Sequence, residues 1–309
     1  MADIPRQLPA EGAAPRPIAP IARQIDHAGP RRSLLRQIAR DRWMMVGLAI
    51  VAVIAVLAIL APLLPLPDPD ATEPARRLAA PGELGYPLGS DQLGRDILSR
   101  IVWGGRTSLM IGFVSAGLAL VLGGALGLVS GYFRGVVDNL VMRVVDTLMA
   151  FPYVLLAILL VAALGPGLVN AMLAVAIANV SFYARGVRSA VLLTRSQDYV
   201  EASRSVGATN FHIIARQILP NVLPTALVAA SLNVGWMITE TAGLSFIGLG
   251  AQPPTADWGT MLADGRAVIT VAYHVGTLPG IAILALVIGT NLIGEGLRDA
   301  LDPRFRGRA

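Results

Sequence analysis

The chain has no cysteine, so a disulfide framework, a thiolate nucleophile and a cysteine-based metal site are all excluded. It also has no lysine: all 25 basic residues are arginine. A P-loop of the form GxxxxGK[ST] therefore cannot be built, and any ATP-driven step must belong to a different chain. Histidine is confined to His27, His212 and His274, which lie too far apart to offer metal-ligand spacing. HExxH and GxSxG are missing, as is a pair of aspartates within an apolar run, which argues against an intramembrane enzyme. Charge of either sign is scarce, at 15% of residues. The formal net charge of +5 comes from arginines scattered among apolar segments, so no basic face exists for nucleic acid.

What is present is hydrophobic. At 54% apolar residues and a mean hydropathy of +0.63, the composition lies outside the soluble range and implies an all-α, polytopic membrane protein. Residues 1–34, rich in proline and alanine, read as a disordered cytoplasmic tail. In the anchor segment 35–66, Arg36, Arg40 and Arg42 follow Arg31 and Arg32 and precede the uncharged run Trp43 to Leu64, about 22 residues and long enough to span. Its length and position make it a retained anchor instead of a cleaved signal, with the N-terminus in the cytoplasm.

Residues 67–106 form an external loop. There Asp91 or Ser90 is expected to cap an amphipathic helix ending near Trp103, with Leu93, Ile97 and Ile101 on one face and Arg95 and Asp96 elsewhere. A core of five spans follows over 107–297. The second span, Thr107 to Phe133, carries Gly112, Gly117, Gly123, Gly124, Gly127 and Gly131, which let helices approach closely in lipid. A polar return with Arg134, Asp138, Arg143 and Asp146 is expected to hold an ion-pair cluster, Arg143 pairing with Asp146 three residues on. A third span runs from Leu148 to Leu164, and Gly165-Pro166-Gly167 turns into a fourth, Leu168 to Tyr183, which ends at Arg185 and Arg188. The fifth is expected over Val222 to Ile238 and the sixth over Gly280 to Ile293, with an external segment Glu240 to Pro279 between them. The tail 298–309, with Arg298, Arg304, Arg306 and Arg308, returns to the cytoplasm, giving six spans with both ends inside.

Between the fourth and fifth spans lies a loop, 190–221, that is too polar to enter lipid. Within it, Asp198 with Glu201 three residues on predicts a capping box, Gly207 a left-handed helix end, and Thr209 a cap for a second helix, Asn210 to Ile218, stopped by Pro220. The small Ala202, Ser203 and Ser205 leave the first helix slim enough to enter another protein's groove. Glu201-Ala202-Ser203, then Gly207, then Leu219-Pro220 resembles the EAA loop of permease subunits of binding-protein-dependent ABC importers, a pattern of roughly EAA, three residues, G, nine residues, I-x-LP. Ser203 and Gln217 depart from it, standing where the pattern has alanine and isoleucine.

Three further stretches, LGSDQLGRDILSR from Leu88, LSFIGLGAQPPTADWGTML from Leu244 and GEGLRDALDPRFRG from Gly294, resemble the C-type subunit of dipeptide, oligopeptide, nickel and glutathione importers. The resemblance covers about residues 35–307 and implies a type I importer permease fold in a bacterial inner membrane. It implies a related but distinct permease as partner, two ATP-binding subunits below and an extracytoplasmic solute-binding protein above. No cofactor belongs to this chain; ATP and magnesium would sit on the ATPases.

On this reading Glu201, Ala202, Ser203, Arg204, Gly207, Leu219 and Pro220 form the ATPase-coupling site. Asp91, Arg95, Asp96, Gln252, Pro253, Pro254 and Trp258 are candidates for the receptor face or external gate, Trp258 being read as an interfacial aromatic. Ser181, Ser231, Asn233 and Glu240 are candidates for the pathway, Glu240 because charge within a membrane is costly. The spans offer mainly small polar groups, with no carboxylate or imidazole at mid-depth, which favours peptides over a bare metal ion as cargo. A channel is the rival class, and would need no docking helix.

Overall fold

A computed structural model describes residues 41–301. The tail 1–34 with His27, the arginines from Arg31 to Arg40, and Arg304, Arg306 and Arg308 lie outside the described residues. Asp41 caps α1 (Arg42–Leu60), accepting from the backbone N–H groups of Trp43 and Met44 at 2.9 and 3.1 Å. A short 3-10 turn extends the helix through Leu63, making a 22-residue candidate span. α1 packs against the last helix, where a side chain on Gly47 would lie 2.7 Å from the Gly289 carbonyl oxygen.

The separate amphipathic helix expected after Asp91 does not exist. Residues 91–96 form a tight turn, because the Asp91 carboxylate accepts from the N–H groups of Leu93 and Arg95 and Gly94 is left-handed with φ +77. Asp96 is the cap instead, and the helix it starts, α2 (Ile97–Phe133), runs unbroken for 37 residues into the second span. The expected third span is a bent pair, α3 (Gly135–Met149) and α4 (Tyr153–Leu164), with axes 93° apart. Pro152, lacking an N–H, stands at the break. The polar return from Arg134 to Asp146 is thus itself largely helical.

α5 (Leu168–Arg195) is 28 residues long and continues well past Tyr183. Arg185 and Arg188 stay helical because their charges are met across the interface. Arg188 Nε and Nη2 donate to the two Asp138 oxygens, each at 2.7 Å, and Arg185 Nη2 donates to Asp146 Oδ1 at 2.6 Å. The expected Arg143–Asp146 pair is therefore replaced by these cross-helix pairs. Next come α6 (Asp198–Ser205), α7 (Asn210–Ile213), α8 (Leu219–Phe246), α9 (Trp258–Arg266) and α10 (His274–Leu301). α10 begins before Gly280, so the external segment is shorter than expected.

Among the described residues five helices are long and apolar enough to cross a membrane, or six when the bent pair counts as one. Their core is knit by α2 on α5: Gly123, Gly127 and Gly131 press against the Val180, Ala184 and Val191 region with no room for a Cβ.

Candidate functional site

The loop after α5 is built largely as its turn chemistry dictates, with two corrections. Gln197 occupies the cap position of α6 and its side chain donates back to the Leu193 carbonyl instead of capping, so Asp198 is the first helical residue and no capping box with Glu201 forms. Asp198 and Glu201 still place negative charge in the first turn, where the helix dipole favours it. Gly207 has φ +83; its N–H donates to the Arg204 carbonyl at 3.0 Å and the Ala208 N–H to that of Ser203 at 3.1 Å, closing the helix as expected. The Thr209 hydroxyl accepts from the His212 N–H at 3.3 Å and caps α7.

The second correction concerns Pro220, which does not stop the helix. A π-type turn, Ile214–Ile218, joins α7 to α8, and Pro220 lies in the first turn of α8, just past that wider turn. The wider turn absorbs the proline ring that would otherwise strike the carbonyl one turn back. Asn210 to Phe246 is therefore one helical rod of 37 residues.

Ser203 and Gln217, the two residues that differ from the EAA pattern, are bonded to each other, Gln217 Nε2 donating to Ser203 Oγ at 2.5 Å. Asn221 adds bonds to the Gln217 carbonyl and the Tyr199 hydroxyl. Beneath the loop, Val200, Ile213 and Ile218 are buried with Tyr132 and Val191, and the Tyr132 hydroxyl donates to Asn210 Oδ1 at 2.7 Å. The loop is thus fixed from within, while Glu201, Ala202, Arg204 and Leu219 are exposed together with Val206 and Phe211, at 84% and 81%. Sequence reasoning passed over Val206 and Phe211; large apolar residues in an otherwise polar loop were the signal.

On the other side of the fold, the two segments expected to lie outside form one body. Asp91, Arg95 and Asp96 are all buried. Arg95 Nε donates to Asp91 Oδ2 at 2.6 Å, and Arg95 reaches Asp264 at 3.5 Å. Burial pushes the Asp96 carboxyl above its usual range, against the Ser99 and Leu98 N–H groups it accepts from. Gln252 donates to the Gly248 and Gly250 carbonyls, and Pro253 precedes Pro254 in an exposed turn. Trp258 is not interfacial: it is 2% exposed, donates from Nε1 to the Ile101 carbonyl at 2.9 Å, and fills space left by Gly104.

Within the spans a polar chain crosses three helices. Asn179 on α5 donates to the Tyr153 hydroxyl on α4 at 2.6 Å, and Asn233 on α8 donates to Asn179 Oδ1 and to the Tyr183 hydroxyl at 3.4 and 3.3 Å. Tyr153 and Tyr183 were not foreseen; tyrosines inside apolar runs were their sign. Ser181 and Ser231 turn their hydroxyls back to their own helices, towards the Ala178 and Val228 carbonyls. Glu240 lies two turns beyond Asn233 on α8, partly buried and in no ion pair among the described residues. Among the described residues no cluster of three or more metal-ligating side chains exists.

Residues 123–307 match the family described as the inner membrane component of binding-protein-dependent transport systems, and residues 29–81 match the N-terminal transmembrane domain of oligopeptide transport permease C. The chain belongs to the first family. This inner membrane component is 42% identical over 283 residues to the dipeptide transport system permease protein DppC of Alkalihalophilus pseudofirmus, covering 92% of the present chain and 93% of that protein. It is 45% identical over 228 residues to the di/tripeptide permease DppC of Pseudomonas aeruginosa (74% and 75% covered), and 45% over 219 residues to the glutathione permease GsiD of Pectobacterium atrosepticum (71% and 73%). Its fold resembles that of the inward-facing MetNI methionine ABC transporter, with a TM-score of 0.55 at 22% identity over 67% of this chain and 98% of that one. The inner membrane component is thus a multi-pass ABC importer permease that works with an ATPase and a solute-binding protein.

Gly207→Val tests the loop geometry. Open space surrounds Gly207, so the substitution acts only through its positive φ, and strain on the order of 1 kcal/mol or more should tilt α7 away from α6. Assembled complexes in which binding protein no longer stimulates ATP hydrolysis are expected in a coupled ATPase assay; normal stimulation would refute this role for Gly207.

Proposed function

We propose that this chain is the C-type permease subunit of a peptide importer, forming half of a pathway for di- and oligopeptides beside a related but distinct permease, with two ATP-binding subunits below, one of them docked on loop 190–221. The observation that carries the coupling part is the braced loop: Glu201, Ala202 and Arg204 stand exposed beside Val206 and Phe211 on a helix pair fixed by Gly207 and by the Ser203–Gln217 bond. An apolar and charged surface on a rigid loop suits insertion into a groove, and a channel has no use for it. ATP and magnesium are assigned to the ATPases.

Peptide cargo is supported by relatives named for dipeptides, di/tripeptides and glutathione, the last itself a tripeptide. It is supported too by the Tyr153, Asn179, Tyr183 and Asn233 chain, since carboxamides and hydroxyls match a peptide backbone without selecting its side chains. Glu240, on the same helix, supplies a carboxylate for a peptide's ammonium end. Proteoliposomes holding the full complex and its own binding protein are expected to accumulate labelled di- to pentapeptides with ATP. Accumulation of a nickel chelate but of no peptide would refute the peptide reading.

In this arrangement both termini and loop 190–221 are cytoplasmic, and Asp91, Arg95, Asp96 and the Gln252–Trp258 segment belong to the external side. Because the natural chain lacks cysteine, single substitutions report cleanly. Thr255→Cys, in an exposed turn, should react with an impermeant thiol reagent in intact cells, while Ser203→Cys and Thr209→Cys should react only after lysis. Labelling of Ser203→Cys from outside would invert the topology.

A further inference from the structure

Behind the coupling loop, at the ends of α2 and α5, a cavity of about 350 Å³ is lined by Arg134, Arg195 and Arg204, with Leu192, Val200 and Glu201 on its wall. The guanidinium carbons of Arg195 and Arg204 stand 5.8 and 6.0 Å from the centre of one ring, that of the buried Tyr132. A π face attracts cations but does not neutralise them. None of the three arginines is in an ion pair among the described residues, whereas Arg185 and Arg188, earlier on the same helix, are both paired with aspartates. Arg195 Nη1 is closed off from solvent and has no hydrogen-bond partner. Three positive charges thus face one carboxylate, with a buried donor left over: the site lacks a second acceptor carrying negative charge.

A phosphate group satisfies it, because guanidinium forks bind phosphate oxygens in pairs. Within two residues of the lining Arg134 and Leu192 in sequence, Phe133, Val136 and Leu193 are exposed at 50%, 74% and 68%, apolar surface that acyl chains would cover and a free ion would leave bare. We propose that this pocket holds the phosphate of an anionic phospholipid from the cytoplasmic leaflet, braced between the ends of α2 and α5 and the inner side of the coupling helix. The proposal rests on the cytoplasmic placement of loop 190–221 given above.

The test uses the full importer complex in nanodiscs of phosphatidylcholine with and without phosphatidylglycerol, and native mass spectrometry to count the lipid that stays bound. The wild type should retain phosphatidylglycerol over phosphatidylcholine, and Arg134→Gln or Arg195→Gln should each weaken that retention roughly tenfold, the value of one charge-assisted bond. Arg195→Lys, which keeps the charge, should restore much of it, separating loss of the site from loss of the fold. Three results overturn the proposal: retention unchanged in both Gln variants, displacement of the lipid by inorganic phosphate alone, or a cross-link from the pocket to an acidic side chain of the ATPase in place of lipid. Selective retention, lost in the Gln variants, together with outside labelling of Ser203→Cys would uphold the anionic lipid site but overturn the topology and, with it, the assignment to the cytoplasmic leaflet.

Discussion

Gly127→Ile is expected to abolish recovery of folded protein from the membrane. A Cβ at this position would strike the Ala184 carbonyl oxygen and lie 2.9 Å from the Arg188 nitrogen, both backbone atoms that cannot turn aside. Relief requires α2 and α5 to separate along the whole Gly123, Gly127 and Gly131 seam, part of the most extensive helix pairing among the described residues. Overpacking alone costs about 1 to 3 kcal/mol, and separating the helices forfeits the close dispersion contacts that hold them in lipid. The Asp138–Arg188 pair at the end of the same seam would be stretched as well. Gly117→Ile on the same helix meets nothing within 4 Å and is the control. Size-exclusion profiles of the solubilised protein should show a discrete peak for the control and none for Gly127→Ile; two indistinguishable peaks would refute the seam.

Asp91→Ala should lower stability by about 3 to 5 kcal/mol, because it leaves buried positive charge without its partner. Arg95 and Asp91 side chains are only 8% and 7% exposed, and Arg100 Nε, which has no hydrogen-bond partner, lies 4.0 Å from the same carboxylate. Asp91 also closes the turn that precedes α2 by accepting from Leu93 and Arg95. Asp264→Ala removes a half-exposed partner at 3.5 Å and should cost no more than about 1 kcal/mol. Thermal unfolding of the complex separates the two variants. If Asp91→Ala unfolds like the wild type yet loses stimulation by the binding protein, Asp91 acts as a receptor contact and not as a keystone of the external body.

The parts of this fold that could be read in advance are those whose cause is local. Gly207 needs a positive φ, Thr209 offers an oxygen to the N–H three residues on, and the long apolar runs need lipid; each signal sits where its effect does. The misread boundaries have remote causes. α2 was cut at Arg106 because charge ends a hydropathy run, but Arg100 is buried against Asp70 and the Pro69 carbonyl, and Arg106 lies over Trp103. α5 was cut at Tyr183 because Arg185 and Arg188 looked like its end, and their neutralising aspartates are 39 and 50 residues away in sequence. Trp258 was placed at an interface by residue type, while Gly104, far from it in the chain, provides its slot. The polar chain from Tyr153 to Asn233 needs three helices in register before it exists at all.

The unbroken rod from Asn210 to Phe246 fixes a mechanical ratio. It is gripped near Gly235, where a side chain would collide with Asn291 and Thr290 of α10, and near Ile238, which presses on Gly112 of α2. A rod held there works as a beam on a fulcrum, with roughly 38 Å from Asn210 to the grip and roughly 17 Å from the grip to Phe246 at the usual rise per residue. Were the rod to turn about that grip as one body, travel imposed at the loop end would reach the Phe246 end reversed in direction and reduced to somewhat under half, with force increased in the same proportion. The π-type turn near the loop end and Pro224 within the long arm are the places where such a beam can flex.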